Sequence, residues 1–185
     1  MAGETTGGPS TRLGKLTWAN MLRSLLPLVV IVLALAYFCS PQDQDPVVEI
    51  DPSNSISYAA SLTEISLPVP ELAESWRPTS VDVTGPTDGQ RGPVTLTIGY
   101  VTPSVEFARY IVSTDPSSEL IEDLLTDGQS AGEARLAGQT WEEFTTSRGE
   151  PLYLRNDGEL RLVVTGSASQ DELSTLAGSL TPYRD

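Results

Sequence analysis

The longest apolar run in the chain lies near its N-terminus. Nineteen residues from Ser24 to Gln42 carry no charge, and the run is apolar on all sides instead of at every third or fourth position. At ~1.5 Å per residue such a run makes a helix of about 28 Å, close to the ~30 Å hydrocarbon thickness of a bilayer. The pattern predicts one transmembrane anchor at residues 21–42, so the lipid bilayer is the first expected partner.

The charges on either side of the run predict its orientation. Arg12, Lys15 and Arg23 precede it, and four acidic residues follow within residues 43–54. Basic residues stay on the cytoplasmic side of a membrane. We therefore expect a cytoplasmic tail at residues 1–20, an acidic linker at residues 43–54 and an extracytoplasmic domain at residues 55–185.

Two alternatives to an uncleaved anchor depend on short motifs in the same run. Ala34-Leu35-Ala36 has the small-x-small form of a signal-peptide cleavage site. A lipoprotein signal ending at Cys39 is disfavoured by the bulky Tyr37 and Phe38 that precede the cysteine. We expect the anchor to be retained, because the run is long for the core of a cleaved signal.

Residues beyond the linker alternate between the periods of helices and strands. We expect helices over Ser55–Ser66, from an Asp115 cap with Pro116 in the first turn to Gly128, and from a Ser169/Glu172 capping box through Leu180 to Pro182. Strand patterns occur at Ser80–Thr84, Pro93–Val101, Val105–Ser113, Thr140–Thr146, Pro151–Arg155 and Glu159–Thr165, the last two joined by Asn156-Asp157-Gly158. The chain is thus expected to be α+β, with a mostly antiparallel sheet of five to seven strands and two or three helices, preceded by one transmembrane helix.

The composition excludes several functional classes. The chain has no histidine and one cysteine, Cys39, so it lacks the commonest general base, the commonest zinc ligand and any intramolecular disulfide. Residues 41–185 hold eight arginines and twenty-four acidic residues, a net charge of −16 that repels nucleic acid. The acidic linker does not match the spacing of a calcium loop. We therefore expect no cofactor, no metal and no nucleic-acid partner, whereas a basic partner remains open.

Candidate catalytic and binding residues are few. Glu142 and Glu143 lie beside Trp141, but adjacent strand residues point to opposite faces and cannot act as a facing pair of carboxylates. Gly-x-Ser-x-Gly is absent from the sequence. Trp76, Tyr100 and Trp141 are candidate ligand or pocket residues, although large aromatic residues of this kind are more often part of a core.

Several segments carry a family resemblance. They are ESWRPTSVDVTG, LTIGYVTP and LAGQTWEEFTTSRGEPLYLRNDGELRLVVTGSASQDELSTLAGSL, together with the basic-flanked apolar run. In this order they resemble a family of single-pass membrane proteins of unknown function from high-GC Gram-positive bacteria. The final strands and helix also look like the sheet-plus-helix sandwich of Mog1/PsbP-like proteins. The resemblance implies no catalytic residues.

The sequence favours a non-enzymatic module at the outer face of the membrane that binds a protein, lipid or wall component. An envelope protein is the expected type of protein partner. Two alternatives remain: a hydrolase that uses two carboxylates on envelope material, and an accessory subunit of a larger membrane complex.

Overall fold

A computed structural model describes residue 23 and residues 25–32, 48–87 and 90–184. The predicted tail, most of the predicted anchor, both motifs around Ala36 and Cys39, and the first part of the linker lie outside these ranges. Residues 25–32 are helical and exposed. Within the described ranges, no helix combines the length and the apolar character needed to cross a membrane. The chain divides into two units, and the second, Val47–Asp185, contains the sheet.

One antiparallel sheet of seven strands organises the second unit. The elements are α1 (Ser53–Ser61), β1 (Pro68–Pro70), β2 (Arg77–Thr84), β3 (Thr95–Val101), β4 (Phe107–Ser113), α2 (Glu119–Thr126), β5 (Gln129–Leu136), β6 (Gln139–Thr145), β7 (Pro151–Asp157), β8 (Leu160–Gly166), α3 (Gln170–Gly178) and β9 (Leu180–Pro182). The seven strands are ordered β2-β3-β4-β8-β7-β6-β5, and every neighbouring pair is antiparallel. The predicted α+β class and the upper end of the predicted strand number are confirmed.

The helices lie on both faces of this sheet. Ile121 of α2 packs with Ile111, Leu152 and Val163, whereas Leu173 and Leu176 of α3 pack with a cluster that contains Tyr110 and Val112. Because Tyr110, Ile111 and Val112 are consecutive on β4, their side chains alternate between the two faces. The two clusters therefore form two apolar layers, one under α2 and one under α1 and α3.

A second, two-stranded sheet joins the segment that follows α1 to the C-terminal segment of the unit. β1 pairs antiparallel with β9, and the Tyr183 amide donates to the Leu67 carbonyl at 2.9 Å. The buried Tyr110 hydroxyl donates to the Pro68 carbonyl at 2.7 Å and so joins this small sheet to β4. The prediction that the last helix runs through Leu180 is wrong, because Leu180 begins β9.

The start of α2 also differs from the prediction. The Asp115 carboxylate accepts the Ser117 amide at 2.9 Å, which closes a turn before the helix instead of capping it. Ser118 occupies the N-cap position without a side-chain cap, and its hydroxyl hydrogen-bonds Thr95 at 3.2 Å. The helix consequently begins at Glu119, three residues after Pro116.

Two local signals in the last third of the chain are confirmed. Ser169 and Glu172 form the reciprocal hydrogen bonds of a capping box at the start of α3. β7 and β8 form the predicted hairpin, but Asp157 pairs with Leu160, so the two-residue loop is Gly158-Glu159. The predicted loop Asn156-Asp157-Gly158 is therefore correct only for Gly158, because Asn156 and Asp157 still pair with β8.

Candidate functional site

The three aromatic residues that the sequence singled out all lie in the core. The rings of Trp76 and Tyr100 meet edge to face with centroids 6.2 Å apart, and Trp141 is almost fully buried in the same cluster. Burial raises the pKa of the Tyr100 hydroxyl well above its usual range. A ligand that reached any of these side chains would have to open the core, and a ligand role for them stays a prediction.

Trp141 is nevertheless in an unusual polar environment. The guanidinium carbon of Arg155 lies 4.9 Å from the centroid of the indole ring, a cation–π contact. Trp141 Nε1 and Arg155 Nε are both buried and have no hydrogen-bond acceptor among the described residues. The guanidinium is anchored by Asp157 at 3.2 Å. These contacts hold Arg155 over the indole ring, and Arg155 with Thr140 and Asp157 lines a surface hollow of about 420 Å³ beside it.

The adjacent carboxylates Glu142 and Glu143 do not form a facing pair. Glu142 is exposed and pairs with Glu133 and Leu154, whereas Glu143 is half-buried and pairs with Gly132 and Tyr153. The pKa of the Tyr153 hydroxyl is raised by burial and, secondarily, by the charge of Glu143. Alternation along β6 thus separates the two carboxylates, as the sequence predicted.

A different group of residues surrounds a cleft at one end of the sheet. The cleft has a volume of about 240 Å³. We call it the Arg109–Arg148 cleft, and its lining residues are Phe107, Arg109, Leu124, Asp127, Thr146, Ser147, Arg148, Glu150, Thr165 and Gly166. They come from the start of β4, the end of α2, the turn between β6 and β7, and the end of β8. Four segments that are distant in sequence therefore meet there.

Arg109 is positioned by its neighbours on the sheet. Its guanidinium carbon lies 5.5 Å from the centroid of the Phe107 ring, two residues earlier on the same face of β4. Arg109 pairs with Gly99 of β3 on one side and with Thr165 of β8 on the other. A Cβ at Gly99 would meet the Phe107 ring at 3.2 Å, so a glycine at this position lets Phe107 lie against β3. Arg109 is thus supported at the bottom of the cleft.

Arg148 is positioned by the turn between β6 and β7. The Thr146 amide donates to the Glu150 carbonyl at 2.8 Å, and the Gly149 amide donates to the Thr146 carbonyl at 2.9 Å. Gly149 has φ +80°, a left-handed conformation that glycine adopts without strain. The Thr146 hydroxyl also accepts the Glu150 amide at 3.1 Å. The turn is well hydrogen-bonded, and it places the exposed Arg148 beside the opening of the cleft.

Neither arginine of the cleft has an acidic partner among the described residues. Arg91, Arg155 and Arg161 form ion pairs with Glu64, Asp157 and Glu122. Arg109 and Arg148 form no ion pair and no side-chain hydrogen bond within the same ranges, although Asp127 and Glu150 line the same cleft. A guanidinium donates up to five hydrogen bonds in a fixed planar geometry that matches carboxylates and phosphates. The cleft is therefore suited to bind an anion.

Two other surface hollows have a simpler structural explanation. One, of about 510 Å³, contains the Glu122–Arg161 ion pair at 2.6 Å, and Arg161 also donates to the Pro116 carbonyl at 2.9 Å. These bonds fasten α2 to β8. The other, of about 640 Å³, lies where α1 meets the β1–β9 sheet, beside a 2.6 Å hydrogen bond between Ser57 and Tyr183. Both hollows surround contacts that join one element to the next.

The residues of the cleft were not identified from the sequence. Arg148 stands in a predicted turn and Arg109 in a predicted strand, but nothing in the local pattern brings the two together. The sequence offered one indirect signal, namely that only eight arginines lie beyond residue 40. Each of them that the fold leaves without an acidic neighbour is a candidate anion ligand. In the described ranges, no group of three or more acidic or cysteine side chains is arranged to hold a metal ion.

Comparisons with known proteins place the chain in a family. Neither a curated protein nor a solved structure matches it. One family does match, over residues 14–180, and its description is "Protein of unknown function (DUF4245)". The match spans both sides of the Pro46 boundary and includes every strand of the seven-stranded sheet. The chain therefore belongs to this family of unknown function, DUF4245.

Proposed function

We propose that the chain is a binding module anchored in the cell membrane, with its folded unit outside the cytoplasm and its ligand bound in the Arg109–Arg148 cleft. One observation supports this binding site. Two guanidinium groups that form no ion pair in the described ranges line a single cleft of a strongly acidic chain. Arg77, Arg135 and Arg184 also form no ion pair in these ranges, so the informative feature is that Arg109 and Arg148 line the same cleft. A guanidinium without an ion pair favours an anionic ligand.

The membrane location is supported by the sequence. The uncharged run from Ser24 to Gln42 has basic residues before it and acidic residues after it, the charge distribution of an anchor with its N-terminus inside. The resemblance to single-pass membrane proteins of high-GC Gram-positive bacteria supports the same topology. Helices on both faces of an antiparallel sheet support the likeness to Mog1/PsbP-like proteins, which carries no function by itself.

The topology is tested on the full-length chain in cell membranes. A chain with an N-terminal tag should stay in the membrane pellet after an alkaline carbonate wash. Protease added to spheroplasts should digest the folded unit and leave the tag protected. Release by carbonate, or a folded unit that resists protease until the membrane is permeabilised, would contradict the proposed location.

The binding site is tested by photo-crosslinking in intact cells. A photoreactive amino acid replaces Ser147, which lines the cleft, and in a matched control it replaces Tyr58, which is exposed on α1. We expect light-dependent adducts from position 147 only, and their loss when Arg109 and Arg148 are both changed to Gln. Equal adducts from both positions, or none from position 147, would show that the ligand does not bind in the cleft.

The same preparations distinguish the proposal from its two alternatives. A binding module leaves its ligand unchanged, so the purified chain should not hydrolyse envelope glycans or esters. Sustained turnover abolished by a Glu→Gln change would favour the carboxylate hydrolase instead. An adduct with a single membrane protein, together with loss of the chain when that protein is deleted, would favour the accessory subunit.

A further inference from the structure

We propose that the Arg109–Arg148 cleft binds the C-terminal residue of a peptide, with its free carboxylate between the two guanidinium groups. This inference depends on the proposed function, because it specifies the ligand class of the same cleft. It follows from the charge, the hydrogen-bonding groups, the apolar walls and the size of the cleft.

The charges of the cleft favour a singly charged group. Arg109 and Arg148 contribute two positive charges, and Asp127 and Glu150 contribute two negative ones. The two carboxylates would repel a doubly charged phosphate more strongly than a singly charged group. A carboxylate carries one charge and fits the planar donor geometry of a guanidinium. The balance therefore favours a carboxylate over a phosphate.

The hydroxyl groups of the cleft add donors for the same anion. Ser147 makes no side-chain hydrogen bond with a described residue. The Thr146 hydroxyl accepts the Glu150 amide and keeps its own proton to donate. The Thr165 hydroxyl, in contrast, donates to the Pro151 carbonyl at 2.8 Å and so holds the bottom of the cleft. Two guanidinium groups and two free hydroxyl protons suit a ligand group that only accepts.

The two carboxylates of the cleft can accept a hydrogen bond from the ligand. Asp127 and Glu150 form no ion pair in the described ranges, and as carboxylates they only accept hydrogen bonds. An ionised fatty acid has no hydrogen-bond donor for these two carboxylates. The last residue of a peptide has an amide N–H one carbon away from its carboxylate, so it supplies an acceptor group and a donor together.

The apolar walls and the volume define the rest of the ligand. Phe107 and Leu124 flank the cleft and provide a surface for one aliphatic side chain. The volume of about 240 Å³ is below the ~300–1,000 Å³ typical of pockets that enclose a whole drug-sized molecule. The cleft therefore accommodates one terminal residue, and the remainder of the peptide would extend into solvent.

The test measures binding of small probes to the full-length chain in lipid nanodiscs by calorimetry. The main probe is N-acetyl-leucine, which has the carboxylate, the amide N–H and an aliphatic side chain. N-acetyl-leucinamide lacks the carboxylate, 4-methylpentanoate lacks the amide, and inorganic phosphate tests the anion alone. We expect N-acetyl-leucine to bind at least about tenfold more tightly than the other three, since a charge-assisted hydrogen bond is worth about that factor or more.

The variants Arg109→Gln and Arg148→Gln should each weaken N-acetyl-leucine binding by about tenfold or more. Arg135→Gln is the matched control, because Arg135 is exposed on β5 and does not line the cleft. Equal unfolding temperatures of all three variants would show that the fold is intact. Arg109→Lys keeps the charge but loses the planar donors, and we expect it to bind as weakly as the Gln variant.

The outcomes separate this inference from the proposed function. Equal binding of N-acetyl-leucine and its amide, or tighter binding of phosphate, would overturn the peptide C-terminus as the ligand. If position 147 still gave adducts that depend on the two arginines, the binding module itself would stand. If the adducts were also absent, both proposals would fall.

Discussion

Gly166 occupies a position in the sheet where no side chain fits. It ends β8 with φ +146°, and a Cβ at this position would collide with the Phe107 carbonyl oxygen. Two residues later the Ala168 amide donates to that same carbonyl at 3.0 Å. The backbone at the edge of the Arg109–Arg148 cleft is therefore close enough to β4 that only a residue without a side chain fits.

We predict that Gly166→Ala destabilises the unit Val47–Asp185 by about 2–4 kcal/mol, from backbone strain and overpacking together. Gly158→Ala is the control, since Gly158 also has a positive φ, +63°, but has open space around it, and it should cost only about 1 kcal/mol. Urea unfolding of the two variants measures the difference. Equal losses would show that Phe107 moves aside at no cost.

Glu172 gives the capping box of α3 a dependence on pH. Burial alone would raise the pKa of its carboxyl, but hydrogen bonds from Thr102, Ser104 and the Ser104 and Ser169 amides outweigh that effect and lower the pKa below the usual 4.5. Ser104 reaches one carboxylate oxygen at 3.3 Å, and Ser169 reaches the other at 3.1 Å. The charged form of Glu172 is therefore the stabilised one.

The sign of the pH effect follows from the direction of that shift. A lowered pKa in the folded state contributes stability that is complete above the unfolded pKa and is lost as the pH falls through the folded value. We predict that the unit is more stable than its Glu172→Gln variant at neutral pH, and that this difference disappears in acid. Urea midpoints of both proteins across the range check this, and a constant difference would contradict it.

At the scale of elements, α2 depends on very few contacts. It has eight residues, and Ile121 is its single fully buried side chain. Leu124 and Leu125 are only partly buried against the same cluster, and in the Glu122–Arg161 ion pair the Glu122 side chain is exposed. A short helix of this kind is stable only through its packing on the sheet.

We predict that Ile121→Ala destabilises the unit by about 2–5 kcal/mol, the range for losing a large buried aliphatic side chain. Leu120→Ala is the matched control, because Leu120 is 39% exposed while Ile121 is 0% exposed, and a surface change of this kind costs about 0.5 kcal/mol or less. Chemical denaturation measures both. Because Leu124 lines the cleft, Ile121→Ala should also weaken N-acetyl-leucine binding.

For the whole molecule, charge acts against compactness. Residues 41–185 carry a net charge of −16, and the described residues form three ion pairs. Self-repulsion of a chain with this imbalance favours unfolding. Screening by salt weakens the repulsion, since the Debye length falls from about 30 Å at ~0.01 M to about 8 Å at ~0.15 M.

We predict that the unfolding temperature of the unit Val47–Asp185 rises with sodium chloride across that range of ionic strength. Both apolar clusters are formed by residues of this unit, so it can be studied by itself. Thermal denaturation followed by circular dichroism at each salt concentration measures the effect. A falling temperature would mean that local ion pairs contribute more than the net repulsion.

Several elements were predictable from the sequence because their signals are local. The apolar runs of β3, β4 and β8, the capping box of α3 and the β7–β8 hairpin all depend on neighbours within a few positions. β5 was missed because almost all of its residues are exposed at the sheet edge, so it has no alternation to detect. The bulge between Ser130 and Gly132 also interrupts the two-residue period of the strand.

The sequence by itself determined the α+β class, most of the strands, the acidic charge of the chain and its family. Charge and apolar periodicity are properties of consecutive residues, so they can be read without a fold. The tertiary structure alone decided that Leu180 starts a strand, that Trp76, Tyr100 and Trp141 lie in the core, and that Arg109 and Arg148 share a cleft. These depend on which distant segments meet, and the order β4-β8-β7-β6 of the antiparallel sheet brings those segments together.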